Sequence, residues 1–547
     1  MIDAGRAPEA NRPEGLRTTA TAALERAVAP RRDRYAPSVL AAVYDGHGVI
    51  AVRSRGHQRL DEATPTSGTV YRIASMSKSF LVAAALRARD DGLLDLDAPI
   101  RRYLPEARSI RFAGRTADVT ARMLLSNRSG LPEDNAWGDR HLPATREEIR
   151  TVVEAGLRLT APPDTAYQYS NLAFTLVGRA LEVVIGMPIE EYVAERLLHP
   201  LGLQRTAYDR RDLPDADLAP GWRTFDRGRT WTPEPYLEPG ALGCIGGLFS
   251  TVGDVARWAE FLRAGYVANA AGAGDAGGTN TAAEDTDTVG ADAGTEAPDP
   301  YAHVLSARSR AEMQTMHSPI HTTAGQNARG LVNAGYGMGL EIDQHRRFGV
   351  EAGHTGGLPG FSSHMRWQLA TGIGVVVFAN RDEFPARNTA AELLDDMLAA
   401  VDAPAARIRP WPEAVAAARQ LDAALRAGRG VADSGAPFAR NVFADIPAAV
   451  RDRRLRALTR SLGGVRSEAA DAAPGSAAFE QRIVSARTAA EVQWIVPCIR
   501  GSIICGVRMM ATEPPVVEGL WASRAAGDGR RAAGDAARMT DWFAPEF

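Results

Sequence analysis

The apolar pattern divides the chain into short strands and amphipathic helices. Ser38 to Tyr44 and Gly48 to Arg53 read as two strands, with Asp45-Gly46-His47-Gly48 as the hairpin between them. The run Phe80-Leu81-Val82-Ala83-Ala84-Ala85-Leu86 is apolar nearly all round, which predicts a helix buried in mid-domain and ending at Asp91-Gly92. Helical periodicity returns over 120–125, from the capping box Thr145-Arg146-Glu147-Glu148 to about 156, and over 172–185, 189–198, 255–264, 306–316 and 388–401. Tyr336 to Glu341, Phe348 to Gly353, Phe361 to Gln368 and Ile373 to Asn380 read as strands at hairpin spacing. Such spacing implies an antiparallel sheet, to which the N-terminal hairpin adds two strands.

The pattern lapses in three places. Residues 1–33 are polar and punctuated by Arg and Pro; they are expected as an N-terminal extension with a surface-docked helix over 18–28. Residues 266–300 are Ala, Gly, Thr, Asp and Glu, with almost no large apolar side chains, and are expected as a disordered insertion. Residues 402–412 read as a linker. Beyond it, 413–547 read as two helices followed by four strands, a smaller α+β domain without any chemical constellation. The main domain therefore spans 34–401 and is also α+β: an antiparallel sheet flanked by helices, with a helical lobe.

Bulk properties exclude several function classes. The 547 residues carry a net charge of -3, which gives no electrostatic reason to expect nucleic acid or an anionic membrane as partner. Three cysteines fit neither a metal site nor a disulfide framework, and no metal or cofactor is expected. No apolar stretch is long enough to span a bilayer, and no leader pattern opens the chain. A cytoplasmic location is the resulting expectation, with a misplaced start codon as the alternative.

One residue breaks the composition. Of the 63 basic residues, Lys78 is the only lysine. A chain that uses arginine wherever a plain charge suffices keeps lysine where arginine fails. An arginine is always protonated, whereas a buried lysine can lose its proton and act as a base. Ser75 lies three residues earlier, on the same helix face, so hydroxyl and amine meet as an activated nucleophile requires. Two further stretches carry suitable chemistry: Tyr169-Ser170-Asn171 at a loop-to-helix junction, and His354-Thr355-Gly356-Gly357 at the end of a strand.

In that order, Ser-x-x-Lys, Tyr-x-Asn and His-Thr-Gly resemble the serine β-lactamase-related family: class C β-lactamases, DD-peptidases, family VIII esterases and D-aminopeptidases. Arg72-Ile73-Ala74-Ser75, Leu124 to Leu131 and Gly246 to Ser250 extend the resemblance over roughly 35–400. It implies a β-lactamase/DD-peptidase-like domain and a serine hydrolase acting through an acyl-enzyme on a small-molecule or short-peptide substrate. Ser75 would be the nucleophile, and Lys78 and Tyr169 would share its proton, in an order left open. Tyr169 could serve as a phenolate only if a neighbouring cation such as Lys78 lowered its pKa. Asn171 would orient Lys78 or hold a substrate amide. The backbone N–H groups of Ser75 and Gly357 would form the oxyanion hole, and His354, Thr355 and Gly356 would line the substrate. Relatives often carry lysine at the position of His354, facing a substrate carboxylate. The histidine turns the expectation from β-lactams toward esters or short-peptide amides. Alternatives are a D-amino-acid peptidase or DD-carboxypeptidase, a class C-like β-lactamase, and a non-catalytic scaffold. Asn127-Arg128 stands where relatives often have Thr-His, and the sequence alone offers no account of it.

Overall fold

The computed structural model describes residues 14–31, 35–57, 59–60, 64–213, 217–274, 299–401, 403, 410–466, 479–485 and 488–525. They fall into two compact units, divided between residues 406 and 407.

In the first unit eight strands form one sheet. Its order is Ser318–Ile320, Leu331–Tyr336, Glu341–His345, Gly349–Leu358, Phe361–Gln368, Gly374–Ala379, Ser38–Asp45, Gly48–Gly56. Every pairing is antiparallel. The N-terminal hairpin joins as expected: Val39 pairs with Ala379 and Val43 with Val375. Side chains alternate across a strand, so Ser38–Asp45 feeds two cores. Val39, Ala41 and Val43 enter one, with Leu24 of helix Glu14–Val28 and Leu394 of helix Ala386–Ala400. Leu40, Ala42 and Tyr44 enter the other, with Trp258 and Phe261 of helix Val252–Gly274 and the whole helical lobe. Both faces are covered, which is why Gly374–Ala379 is an unbroken apolar run.

Helix Ser77–Asp90 lies at the centre of the lobe, with every residue from Ser77 to Leu86 buried. Its N-terminal turn, Ala74–Met76, is 3-10 and rests against strand Gly349–Leu358.

Three sequence expectations change. The stretch 336–341 is a turn between two strands, one ending at Tyr336 and the next starting at Glu341. Helix Val252–Gly274 continues through 266–274, so that part of the expected insertion is helical; 275–298 lie outside the described residues. Within 1–33, helix Glu14–Val28 is packed into the sheet's outer layer through Ala20, Ala23 and Leu24.

The second unit holds a four-stranded antiparallel sheet, Ile483–Ser485, Glu491–Cys498, Gly501–Met510 and Val516–Arg524 in chain order. Helix Pro412–Arg426 packs on it, burying Ala414, Ala417 and Leu421 with Val492, Val496 and Ile503.

Candidate active site

Strand Tyr71–Arg72 delivers the chain to Ser75. Arg72 is a buried support: Nη1 donates to the Gly247 carbonyl at 3.0 Å, and the guanidinium lies 4.3 Å from the centre of the Phe249 ring. Ala74 then takes a left-handed conformation, φ +50°. An L-residue there costs roughly 1–2 kcal/mol, and the distortion turns the next residue into the site. Ser75 is only 8% exposed and Lys78 is fully buried. Lys78 Nζ donates to Ser75 Oγ at 3.0 Å and to the Ile245 carbonyl at 2.9 Å. Burial lowers the amine to about 8, and the Asp139 and Asp134 carboxylates oppose that shift. Burial pushes Asp139 up to about 6 while the Lys78 ammonium pulls it down.

Tyr169 lies beside this pair, its ring centre 5.1 Å from Lys78 Nζ. Burial holds its phenol well above the ordinary tyrosine value, and hydrogen bonding with Ser75 only partly offsets this. The surroundings favour the opposite of the lowered phenol considered from sequence: the side chain is half-buried against the core, and desolvation of the phenolate dominates.

Two residues flanking the loop fix Tyr169. Asn127, buried and left-handed at φ +57°, accepts the Gln168 N–H on its carbonyl (2.9 Å) and the Ser170 N–H on Oδ1 (3.0 Å). Arg128 Nε reaches Asp164 Oδ1 at 2.6 Å, and its Nη1 reaches the His317 carbonyl at 3.1 Å. Ser170 caps helix Asn171–Ile185, and Asp134 accepts the N–H groups of Asn171 (2.6 Å) and Leu172 (2.9 Å). A carboxylate there satisfies orphan donors and complements the helix dipole. Asn171 itself turns to Asn135 (Nδ2 to Oδ1, 3.2 Å), while its Oδ1 is buried without a hydrogen-bond partner. In this state it neither bonds Lys78 nor faces the open side of the site.

His354 is 1% exposed. Its Nδ1 lies 2.6 Å from the Thr355 carbonyl, which can only accept, so Nδ1 carries the proton. Nε2 therefore accepts from the Tyr336 hydroxyl at 2.9 Å. Burial lowers the imidazole to about 4, against the pull of Glu341, so it is neutral at pH 7. Thr355 turns away, its hydroxyl 3.1 Å from His364 Nδ1 and its N–H on Glu341 Oε1 at 3.2 Å. At Gly356 a Cβ would lie 2.1 Å from Ser363 Oγ and 2.3 Å from the Ile73 carbonyl, so this strand is pressed against the turn that carries Ser75. At Gly357 a Cβ would meet nothing within 4 Å: it borders open space.

Ser75, Lys78, Tyr169 and His354 thus converge, with Gly356 and Gly357 alongside. Sequence reasoning missed Asp134, Asp139, Tyr336 and Glu341, which act by charge or hydrogen bonding and belong to no motif. Among the described residues no group of His, Cys, Asp and Glu could hold a metal ion, and no single helix is long and apolar enough to cross a membrane.

Comparison with known proteins places the family and the fold. The chain is 30% identical over 223 residues to the D-alanyl-D-alanine-carboxypeptidase/endopeptidase AmpH of Escherichia coli (strain K12), covering 40% of this chain and 55% of that protein. It thus spans about half the length of that curated relative. The octameric penicillin-binding protein homologue from Pyrococcus abyssi superposes with a TM-score of 0.53 at 17% identity, over 93% of this chain and 98% of its own. D-amino acid amidase from Ochrobactrum anthropi SV3 gives 0.52 at 21% identity, over 71% and 98%. At such identities the structural likeness shows the fold. The Beta-lactamase family profile matches residues 24–399, and the chain belongs to that family.

Proposed function

We propose that the protein is a serine hydrolase that forms an acyl-enzyme on Ser75 and acts on an ester or a short-peptide amide. The observation that carries this reading is the 3.0 Å contact between Ser75 Oγ and a fully buried amine held near 8. A fraction of that amine is neutral at pH 7 and can take the Ser75 proton as Oγ attacks the carbonyl carbon. The backbone N–H groups of Ser75 and Gly357 receive the developing oxyanion. The bond to the leaving group then breaks. The phenol of Tyr169, which burial keeps protonated, donates to the leaving oxygen or nitrogen and recovers a proton from the Lys78 ammonium. Water cleaves the acyl-enzyme by the reverse proton path.

His354 favours substrates without a carboxylate at its subsite. It is neutral, buried and engaged at both nitrogens, so it presents no cation there. This favours esters and uncharged amides over β-lactams and free-carboxylate peptides. The test is intact-protein mass and turnover with p-nitrophenyl butyrate and, separately, a penicillin, on wild type and Ser75→Ala. Turnover of the ester by wild type alone, with little penicillin adduct, is expected. Equal turnover by Ser75→Ala overturns the reading; a long-lived penicillin adduct on wild type replaces it with a penicillin-binding role.

A further inference from the structure

Asn127 is the residue the sequence could not explain, and its surroundings assign it a task. It supplies two acceptors from one residue, a backbone carbonyl to the Gln168 N–H and Oδ1 to the Ser170 N–H. Those N–H groups flank Tyr169 on either side. Asn127 is itself fully buried and left-handed, a conformation asparagine tolerates better than other residues with a Cβ. Its Nδ2 makes no well-aligned hydrogen bond but faces the Tyr336 hydroxyl. Tyr336 in turn donates to His354, on the strand that carries Gly356 and Gly357. The Tyr336 ring also packs edge-on against Tyr169, with centres 6.3 Å apart.

We propose that Asn127 is a positioning residue: it sets the place of the Tyr169 hydroxyl over Ser75 by clamping the backbone on both sides of that tyrosine. This rests on the reading of Tyr169 as a proton donor, but the clamp can be tested apart from it.

The experiment is a double-mutant cycle on the full chain, with kcat and KM read on a p-nitrophenyl ester and on an anilide. Asn127→Gly removes Oδ1 while keeping the left-handed backbone accessible. Displacing a reacting group by about an ångström costs about 10²-fold, and that is the expected fall in kcat, with KM little changed. If Asn127 acts through Tyr169, the double variant Asn127→Gly/Tyr169→Phe is no slower than Tyr169→Phe alone. Losses that multiply in the double variant, or an unaltered kcat in Asn127→Gly, overturn the proposal. Should Asn127→Gly fail to fold, Asn127→Ala, which also removes the Oδ1 acceptor, enters the same cycle with the same criterion. The donor reading is judged separately: Tyr169→Phe must lose more on the anilide, whose leaving group needs a proton, than on the nitrophenyl ester.

Discussion

The sharpest prediction concerns Lys78→Arg, a change that keeps the charge and discards the base. Lys78 is fully buried, with Nζ between Ser75 Oγ at 3.0 Å and the Ile245 carbonyl at 2.9 Å. Arginine in that pocket stays protonated at any working pH. It can donate to Ser75 but cannot accept its proton. Positioned proton transfer is worth roughly 10² to 10⁴ in rate, or about 3–5 kcal/mol of activation free energy. The larger side chain also overpacks a filled site, at about 1–3 kcal/mol of stability. Lys78→Met separates the two effects, because it roughly conserves volume and carries no charge. The assay is kcat/KM with p-nitrophenyl butyrate beside thermal unfolding of each variant, with Ser75→Ala as the floor. Both Lys78 variants should fall to that floor, and only Lys78→Arg should lose much stability. A folded Lys78→Arg with near wild-type kcat/KM would refute the assignment of Lys78 as base.

Further outcomes follow from the same geometry. With Lys78 near 8 and active when neutral, kcat/KM should rise as pH rises through about 8 and level off above it. The Asp139 anion stabilises the ammonium, so Asp139→Asn should move that rise to lower pH; a shift upward in a pH–rate profile would contradict the coupling. Gly356→Ala forces a Cβ onto the Ile73 carbonyl and should lower the thermal midpoint. Gly357→Ala, in open space, should leave the midpoint intact and reduce turnover of bulky acyl substrates. Arg366 is buried between Asp343 (2.8 Å) and Glu351 (2.7 Å), so Arg366→Leu should cost about 3–5 kcal/mol in denaturant unfolding by leaving those buried carboxylates only their longer contacts with Arg387 (3.8 Å) and Arg329 (3.2 Å).

Much of the fold was legible because burial leaves a periodic trace. Ser38–Asp45 divides its side chains between two cores, and its unbroken apolar run from Val39 to Tyr44 is the mark of a strand covered on both faces. The trace misleads where a turn is buried. Met338 and Leu340 are both fully buried and alternate with Gly337 and Gly339, so the turn imitates a strand. A Cβ at Gly339 would lie 2.6 Å from Val82 Cγ2 and 3.1 Å from the Lys78 carbonyl, so this turn is pressed onto the Lys78 helix, and φ +68° there suits glycine. Helix Val252–Gly274 was read too short for a related reason. The sequence expectation ends that helix at residue 264; in the structure Gly265 continues it and is where Arg310 packs, since an added Cβ would lie 2.4 Å from Arg310 Cβ. The alanines that follow favour helix.

At the site, residue types were legible and protonation states were not. Chemistry restricts which side chains can attack, take a proton or line a carbonyl, so Ser75, Lys78, Tyr169 and His354 stand out in one sequence. What each does depends on groups brought in from elsewhere in the chain. Lys78 is fully buried and Tyr169 half-buried beside it, and desolvation favours the neutral form of both. The same desolvation therefore lowers the amine toward the working pH and lifts the phenol away from it. The two share one environment and, in the proposed mechanism, take opposite parts: the amine as base and the phenol as donor. His354 obeys the same rule, since it lies where a lysine would have to be desolvated beside Lys78. A neutral imidazole with Tyr336 on one nitrogen and the Thr355 carbonyl on the other avoids placing a second cation next to the base. Introducing His354→Lys should therefore lower the pKa of Lys78 and move the rise in kcat/KM to lower pH, whatever it does to substrate choice; an unmoved pH profile in a folded variant would show that the two positions do not share a field.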